Sequence, residues 1–576
     1  MITSTRTKNY SFHFLNATQF LGALNDNIFK LLIIYLLINV KGLEAAPSIL
    51  ATVGAVFVIP FLVFSSAAGI LADRISKRSI LVSMKVVEAV IMLFSIFSIY
   101  FQSELFCYVF LFSMAAQSAL FGPSKYGIIP EIVPEEKVSK ANGIMTSLTF
   151  LAIIFGTFLA TFITDITNKN FVVGSLFCFF IAVAGLITSL KIEVTKPQRS
   201  KRKIRPLFIY EIYKTLALSY KRVHLLPAII GSAFFLFIGA FVQLNIIPFA
   251  IQSLKLTEVG GGYLFLATAI GIALGSLAAG KISKDKVQPG ISCISGFVLS
   301  FLLILLFCFS KFLLATILIL IFLGFFGGLF LIPLDSFIQI AAPDARRGQI
   351  VSASNFLGFT GVLVASACLW INSDILKISS ASGFALIGFI TLIFSTIMAG
   401  RLSDLFFPYL MQKVFLKFIP YSLSSLPETN SLIIFEKKNW IDAFMLFALL
   451  PKLKIITIRK KLFDFPFING LFLSFGIISE FKHPKDKEKW LIKLANHMKR
   501  RNEYVCLFLE DISSRNTWKD CIAKEKDNEF TDVVFIHIEK EKITKSIFGF
   551  DVSLEKSSVY FTDEPLNQKA YINSIS

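Results

Sequence analysis

Residues 69–78 read GILADRISKR. An apolar run closes on Gly69 and Ala72, an acid follows at Asp73, and three bases follow the acid: Arg74, Lys77 and Arg78. A glycine on a helix face lets a second helix come close, and bases at the end of an apolar run read as a positive-inside loop. A similar stretch, GSLAAGKISK, returns at 275–284. Two more pairs keep nearly the same offset: LGALNDN (21–27) stands opposite IGAFVQL (238–244), and GPSKYGIIPEIVP (122–134) opposite IPLDSFIQIAAP (332–343). The chain therefore reads as a duplicated unit. A duplicated transporter binds its substrate between the halves, near the bilayer midplane.

Composition places the chain in a membrane. Of 576 residues, 55% are hydrophobic, 63 are Phe and only 16% are charged. Soluble domains carry about 25% charged residues. The net charge of +19 would suggest nucleic acid in a soluble chain; here it is expected on one membrane side, and no nucleic-acid partner is expected. The seven cysteines show neither metal spacing nor a disulfide framework, so no metal and no cofactor are expected. The opening MITSTRTKNYSFHF lacks the features of a cleavable signal.

About 20 apolar residues cross a bilayer as a helix. Twelve such runs are expected, near 14–39, 47–72, 79–101, 104–121, 142–166, 170–190, 226–251, 260–281, 290–309, 313–335, 352–373 and 380–399. The expected domains are a first six-helix half (1–190), a basic linker (191–225), a second six-helix half (226–402) and a region over 403–576 in which apolar runs shorten and alternate with charge. The even-numbered loops are basic. Loop 2–3 holds Arg74, Lys77 and Arg78, loop 4–5 holds Lys125, Lys137 and Lys140, and residues 191–223 hold ten Lys or Arg. By the positive-inside rule both termini and the region after 400 are expected in the cytoplasm, with the linker on anionic lipid.

Ionisable residues inside a span cost about 2.5–3.5 kcal/mol or more and face a cavity or a partner. Asp26 and Lys30 stand four apart on one face of the first span, flanked by Asn25 and Asn27. Lys85 and Glu88 stand three apart in the third span and read as a self-neutralising pair. The seventh span carries Gln243 and Asn245 at the place equivalent to the acid of the first. A cavity with a carboxylate, ammonium groups and amides suits a zwitterionic headgroup, with Asp26 on an ammonium and a lysine on a phosphate.

The stretch with Gly69, Asp73, Arg74, Lys77 and Arg78 resembles the loop 2–3 signature of the major facilitator superfamily. That resemblance implies a twelve-helix all-α membrane fold in two six-helix halves, with these residues as a cytoplasmic charge latch. Two narrower stretches, TQFLGALNDNIFK (18–30) and FGPSKYGIIPEIVPEEKVSKANGI (121–144), resemble the bacterial lysophospholipid transporters of that superfamily. The resemblance covers roughly 10–400. It implies inward flipping of lysophospholipids, mainly 2-acylglycerophosphoethanolamine, across the inner membrane for re-acylation. By position, Asp26 is the buried acid of span 1, Asn27 and Lys30 lie beside it, Lys125 and Glu131 are the charges after span 4, and Asn142 opens span 5. One departure is Asn245, where stand-alone members are expected to carry a base.

Some members are fused to an acyltransferase, and residues 403–576 resemble one that has decayed. After an expected interfacial helix over 405–427, KKNWIDAF (437–444) is similar to a catalytic opening in which a His precedes an Asp by five positions. Lys437 stands in place of the His and Asp442 keeps its place. VCLFLEDISS (505–514) keeps Phe508 and Glu510 of a phosphate-binding turn but has Asp511 for its Gly. A protonated lysine cannot take the proton from a glycerol hydroxyl. The resemblance thus implies a cytoplasmic α/β domain without acyl transfer, with Trp440, Ile441 and Phe444 as its core. Acyl carrier protein or a separate acyltransferase then becomes a partner, beside the membrane lipids. Export of drugs or other amphipaths, a bifunctional transporter–acyltransferase and a lipid-binding scaffold remain open from the residues alone.

Overall fold

In a computed structural model, residues 2–402 are described apart from 199, 201–207, 257 and 284–286; beyond 402 the described residues are Leu405, Phe406, Tyr409 and seven strands. The chain forms two compact units, Met1–Ile393 and Phe394–Ser576.

The first unit is helical. Its helices are α1 (Ile2–Lys41), α2 (Ala46–Arg74), α3 (Lys77–Tyr100), α4 (Glu104–Gly127), the short α5 (Ile129–Ile132), α6 (Val138–Ile166), α7 (Phe171–Leu190), α8 (Phe208–Tyr220), α9 (Leu225–Leu254), α10 (Glu258–Ile282), α11 (Gly290–Cys308), α12 (Leu313–Ala341) and α13 (Arg347–Trp370), and α14 (Ser380–Arg401) begins in it. Among the described residues, twelve helices are long and apolar enough to cross a membrane, and each overlaps one of the twelve expected runs. Two outrun expectation because their prolines lie inside the helix: α4 continues past Pro123 to Gly127, and α12 past Pro333 to Ala341. Neighbouring helices and side chains satisfy the backbone groups that a proline frees in a membrane helix.

The packing follows from side-chain spacing. In α1, Ile28, Phe29, Leu32, Ile33 and Leu36 are buried, a stripe at helical period that faces α6 and α7. The opposite pattern covers the outside, where Phe94, Phe97, Phe158, Phe180, Phe301 and Phe389 are exposed. In water such a surface would aggregate; against lipid tails it is solvated. Helix α8, in the linker, is amphipathic. It buries Ile212, Thr215 and Ser219 and exposes Ile209, Tyr210, Tyr213 and Tyr220.

In the second unit the described strands are β1 (Tyr421–Leu423), β2 (Ser431–Glu436), β3 (Leu453–Ile458), β4 (Ile478–Ser479), β5 (Tyr504–Leu509), β6 (Asp532–Ile547) and β7 (Phe550–Thr562), in the order β1-β7-β6-β2-β5-β3-β4. All neighbours are parallel except the long antiparallel pair β6 and β7. The interfacial helix expected over 405–427 is corrected at one end: Tyr421–Leu423 is a strand against Ser557–Val559. The sequence carries a reason at Pro420, since a proline lacks an N–H and disfavours continuation of a helix. Strands β2 and β5 end in register, with Glu436 opposite Leu509. The residues that follow them, Lys437, Asp442 and Glu510, lie outside the described residues, as do Trp440, Ile441 and Phe444.

Candidate functional site

The turn that opened the sequence analysis joins the two halves. Asp73 is fully buried. Its carboxylate accepts hydrogen bonds from the backbone N–H groups of Gly348 (2.7 Å) and Gln349 (3.0 Å), in the first turn of α13. The first N–H groups of a helix have no partner within it, and the helix dipole favours an anion there. Gly69 makes this possible. A Cβ on it would lie 2.7 Å from the Ser352 Cβ and 2.8 Å from the Gln349 Cα.

The bases take other partners. Lys77, also buried, pairs with Glu131 at 2.5 Å. Arg78 donates to the carbonyls of Leu190 (3.0 Å) and Ile192 (3.3 Å), where α7 ends and the linker starts. Arg74 is exposed at the end of α2. Four of the five residues therefore act at three places: Gly69 and Asp73 hold α13, Lys77 holds Glu131, and Arg78 holds the end of the first half.

A second contact between the halves lies at the same end. A Cβ on Gly143 of α6 would run into the Ser276 carbonyl oxygen of α10. Ser139 donates to Ser283 (2.9 Å). Asn142 donates to Ser336 (3.0 Å) and exchanges hydrogen bonds with Gln339 of α12 in both directions, at 3.1 and 3.0 Å. At this end the bundle is closed on both sides.

Deeper in the bundle lies a cavity of about 260 Å³ walled by α1, α2, α3, α4, α6 and α13. Asp26, Asn27, Lys125, Phe57, Phe61 and Asn355 line it. Asp26 accepts a hydrogen bond from Ser118 (2.8 Å), and its other oxygen is buried with no partner. Asp26 and Lys30 do not form the ion pair that their spacing permits. Among the described residues neither has an ion pair, and the Lys30 ammonium sits over the Phe57 ring, 5.3 Å from its centre. Lys125 likewise sits over Tyr126, at 4.7 Å. Lys85 and Glu88 do pair, at 2.6 Å, and Asn25 (3.0 Å) and Gln117 (3.5 Å) donate to the same carboxylate. That buried cluster ties α1, α3 and α4 together. Beside the cavity, α2 and α13 meet through stacked rings, Phe61 on Phe359 at 4.3 Å.

Four expected site residues do not line this cavity, Lys30 among them. Glu131 belongs with Lys77, outside the cavity wall. Gln243 is exposed and does not line the cavity; it stands eleven residues beyond Ser232, about three full turns, on the same face of α9. Asn245 is buried and donates to the Ser380 carbonyl at the start of α14 (2.8 Å). Of α9, Ser232 and Leu236 line an adjoining void of about 110 Å³, where Ser232 donates to Asp335 of α12 (2.7 Å). Tyr126 and Asn355 line both spaces. Sequence reading passed over Asp335, although aligning Pro123 with Pro333 places it opposite Lys125.

Two six-helix halves, closed together at one end around buried charges, describe a membrane transporter of the alternating-access kind. Residues 15–366 match the family model of the Major Facilitator Superfamily, and the chain belongs to that family. The fold agrees. The Escherichia coli fucose:proton symporter FucP superposes with a TM-score of 0.54 at 12% identity, over 67% of this chain and 98% of that one. The human organic anion transporter MFSD10 gives 0.53 at 13%, over 67% and 99%. In sequence, the chain is 26% identical to the lysophospholipid transporter LplT of Cronobacter sakazakii over 354 residues, 60% of this chain and 84% of the relative. It is 25% identical to the LplT of Escherichia fergusonii over 356 residues, 61% and 84%.

Proposed function

We propose that this chain flips lysophospholipids inward across a bacterial inner membrane by alternating access. The observation that carries the reading is the cavity itself. Asp26 and Lys125 line it with a serine hydroxyl or an aromatic ring as neighbour and, among the described residues, without an ion pair. An anionic phosphate supplies the partner that Lys125 lacks. The free oxygen of Asp26 suits the glycerol hydroxyl that a lysophospholipid has and a diacyl lipid lacks. Phe57, Phe61 and Phe359 give the same cavity an apolar side for the start of the acyl chain. The named relatives support the substrate class.

With the basic loops inside, the end held by Asp73 is cytoplasmic and the closed bundle is the state that receives substrate from outside. Residues 403–576 carry no acyl transfer, because Lys437 stands where a general base is needed. A separate acyltransferase, or one served by acyl carrier protein, then re-acylates the product.

The test is translocation of labelled lysophosphatidylethanolamine in proteoliposomes holding the full chain. Wild type moves the lipid, and Lys125→Ala and Asp26→Asn each slow it at least tenfold. Binding without movement between leaflets would make the protein a scaffold. Appearance of the label as diacyl lipid would overturn the reading of Lys437.

A further inference from the structure

We infer that Asp335 forms a second headgroup subsite, in the opposite half of the protein, which takes the primary ammonium of a zwitterionic lysophospholipid whose phosphate lies at Lys125. The inference rests on the transport reading above and adds a specificity to it.

The duplicated sequence sets up the pair. Pro123 in α4 and Pro333 in α12 occupy equivalent places, and two residues beyond each stand Lys125 and Asp335. The two halves thus put opposite charges at matching positions. Between them lies Tyr126, which with Asn355 lines both the larger cavity and the void around Asp335.

The two spaces differ in charge. Lys85 and Lys125 line the larger one with Asp26 and Glu88, so acids and bases share its walls. The walls around Asp335 carry no Lys, Arg or His. From α9 come Ser232 and Leu236, from α12 Leu331, Ile338 and Gln339, from α13 Val351, Ser354 and Asn355, and from α4 Tyr126, the other titratable group. Asp335 has no ion pair among the described residues. A carboxylate in a membrane interior without a cation is costly. A cation brought by the substrate removes that cost.

The site selects among cations by hydrogen bonding. A primary ammonium has three donors. Asp335 accepts from Ser232 with one oxygen and keeps a second for the ligand. Gln339 does not compete, because its amide is engaged with Asn142. The ring of Tyr126 offers a cation-attracting face. A quaternary ammonium has no donor for these acceptors, and a glycerol headgroup has no charge for Asp335. The void of about 110 Å³ admits a headgroup end and excludes an acyl chain. A headgroup bound this way touches α4 and α12 at once, so the substrate itself spans the two halves.

The test compares initial flipping rates of lysophosphatidylethanolamine, lysophosphatidylcholine and lysophosphatidylglycerol in proteoliposomes with the full chain. Wild type prefers the ethanolamine lipid. Asp335→Asn, which can still accept the bond from Ser232, lowers the ethanolamine-to-glycerol rate ratio about tenfold, whereas Asp26→Asn slows all three lipids alike. Should Asp335→Asn be inactive on every lipid, calorimetric binding of glycerophosphoethanolamine and glycerophosphoglycerol to the solubilised chain decides. Loss of the difference between them supports the subsite, and its persistence overturns it. An unchanged rate ratio, or a ratio that shifts with Asp26→Asn instead, also overturns it and leaves the transport reading intact. Failure of wild type to move any of the three lipids sinks both.

Discussion

The two contacts that close the bundle are built from different physics. Between α2 and α13, one carboxylate reaches across to two backbone N–H groups at a helix start. Between α6 and its partners α10 and α12, small residues let backbones touch, and neutral serines and amides complete the seam. The duplicated sequence makes them counterparts, since GILADRISKR and GSLAAGKISK align with Asp73 opposite Ala279. The second half has lost the acid, and its seam closes on shape. Charge concentrated on one side chain gives a contact that one protonation or one substitution releases. Shape spread over several residues gives a contact that slides or pivots and is hard to release at a point. The first seam is suited to be the switch and the second the bearing.

The largest effect is expected on the side built on shape. Gly143→Val forces a side chain into the Ser276 carbonyl, so the closed state is lost and lipid flipping falls at least a hundredfold, as read in proteoliposomes. If flipping survives, the α6 seam is not needed for closure. Asp73→Asn comes next. It keeps the shape and removes the charge that meets the start of α13, and a hydrogen bond to a charged group contributes about 1.5–3 kcal/mol. Cysteines placed at 70 and 351, one on each side of the seam, should then cross-link several-fold more slowly, with transport reduced about tenfold. Equal cross-linking would show that Gly69 packing alone holds the seam.

Lys77→Met tests whether the pair below the switch is part of it. Removing one partner of a buried pair costs about 3–5 kcal/mol, and replacing both with neutral groups recovers much of that. Glu131 is slightly open to solvent, so a loss near the lower figure is expected in thermal unfolding, with Lys77→Met/Glu131→Gln restoring most of it. A double variant no more stable than the single one would remove the pairing argument. The smallest effect is expected from Asn142→Ala, which deletes the amide exchange with Gln339 and leaves that amide buried, about 1–3 kcal/mol. A shift in unfolding temperature without a change in flipping rate would mark Asn142 as structural.

The spans were legible because a bilayer demands about 20 apolar residues each time, and that demand is written in composition. The switch was legible for a similar reason: Asp73 is an acid at the end of an apolar run, where few acids are tolerated. Its partner was not. Gly348 and Gln349 contribute backbone N–H groups, which every residue except proline owns, so no side chain announces them. The cavity was legible in its first half, where Asp26 and Lys125 stand out against apolar neighbours. In the second half Gln243 and Asn245 stand out as polar residues in the matching span; Gln243 is exposed outside the cavity's lining and Asn245 ties α9 to α14. Hydropathy alone does not say which way a polar side chain turns, and Asp335 stands at the very end of its expected run, where an acid reads as a span boundary. The Lys85–Glu88 pair was readable from spacing; its ties to Asn25 and Gln117 depend on how three helices meet and were not.

The choice of backbone donors at Gly348 and Gln349 makes the switch genetically lopsided. One side of it is a single codon, at position 73. The other offers no side-chain charge to exchange, because its donors are backbone N–H groups, and Gly348 is held by space alone: a Cβ on it would lie 2.7 Å from the Ala72 Cβ and from the Gly69 carbonyl oxygen. A search for second-site revertants of Asp73→Asn should therefore return no compensating charge at 348 or 349 and should drift toward changes that weaken the opposite seam. Over evolutionary time the acid would stand alone in its column, with no partner column changing in step.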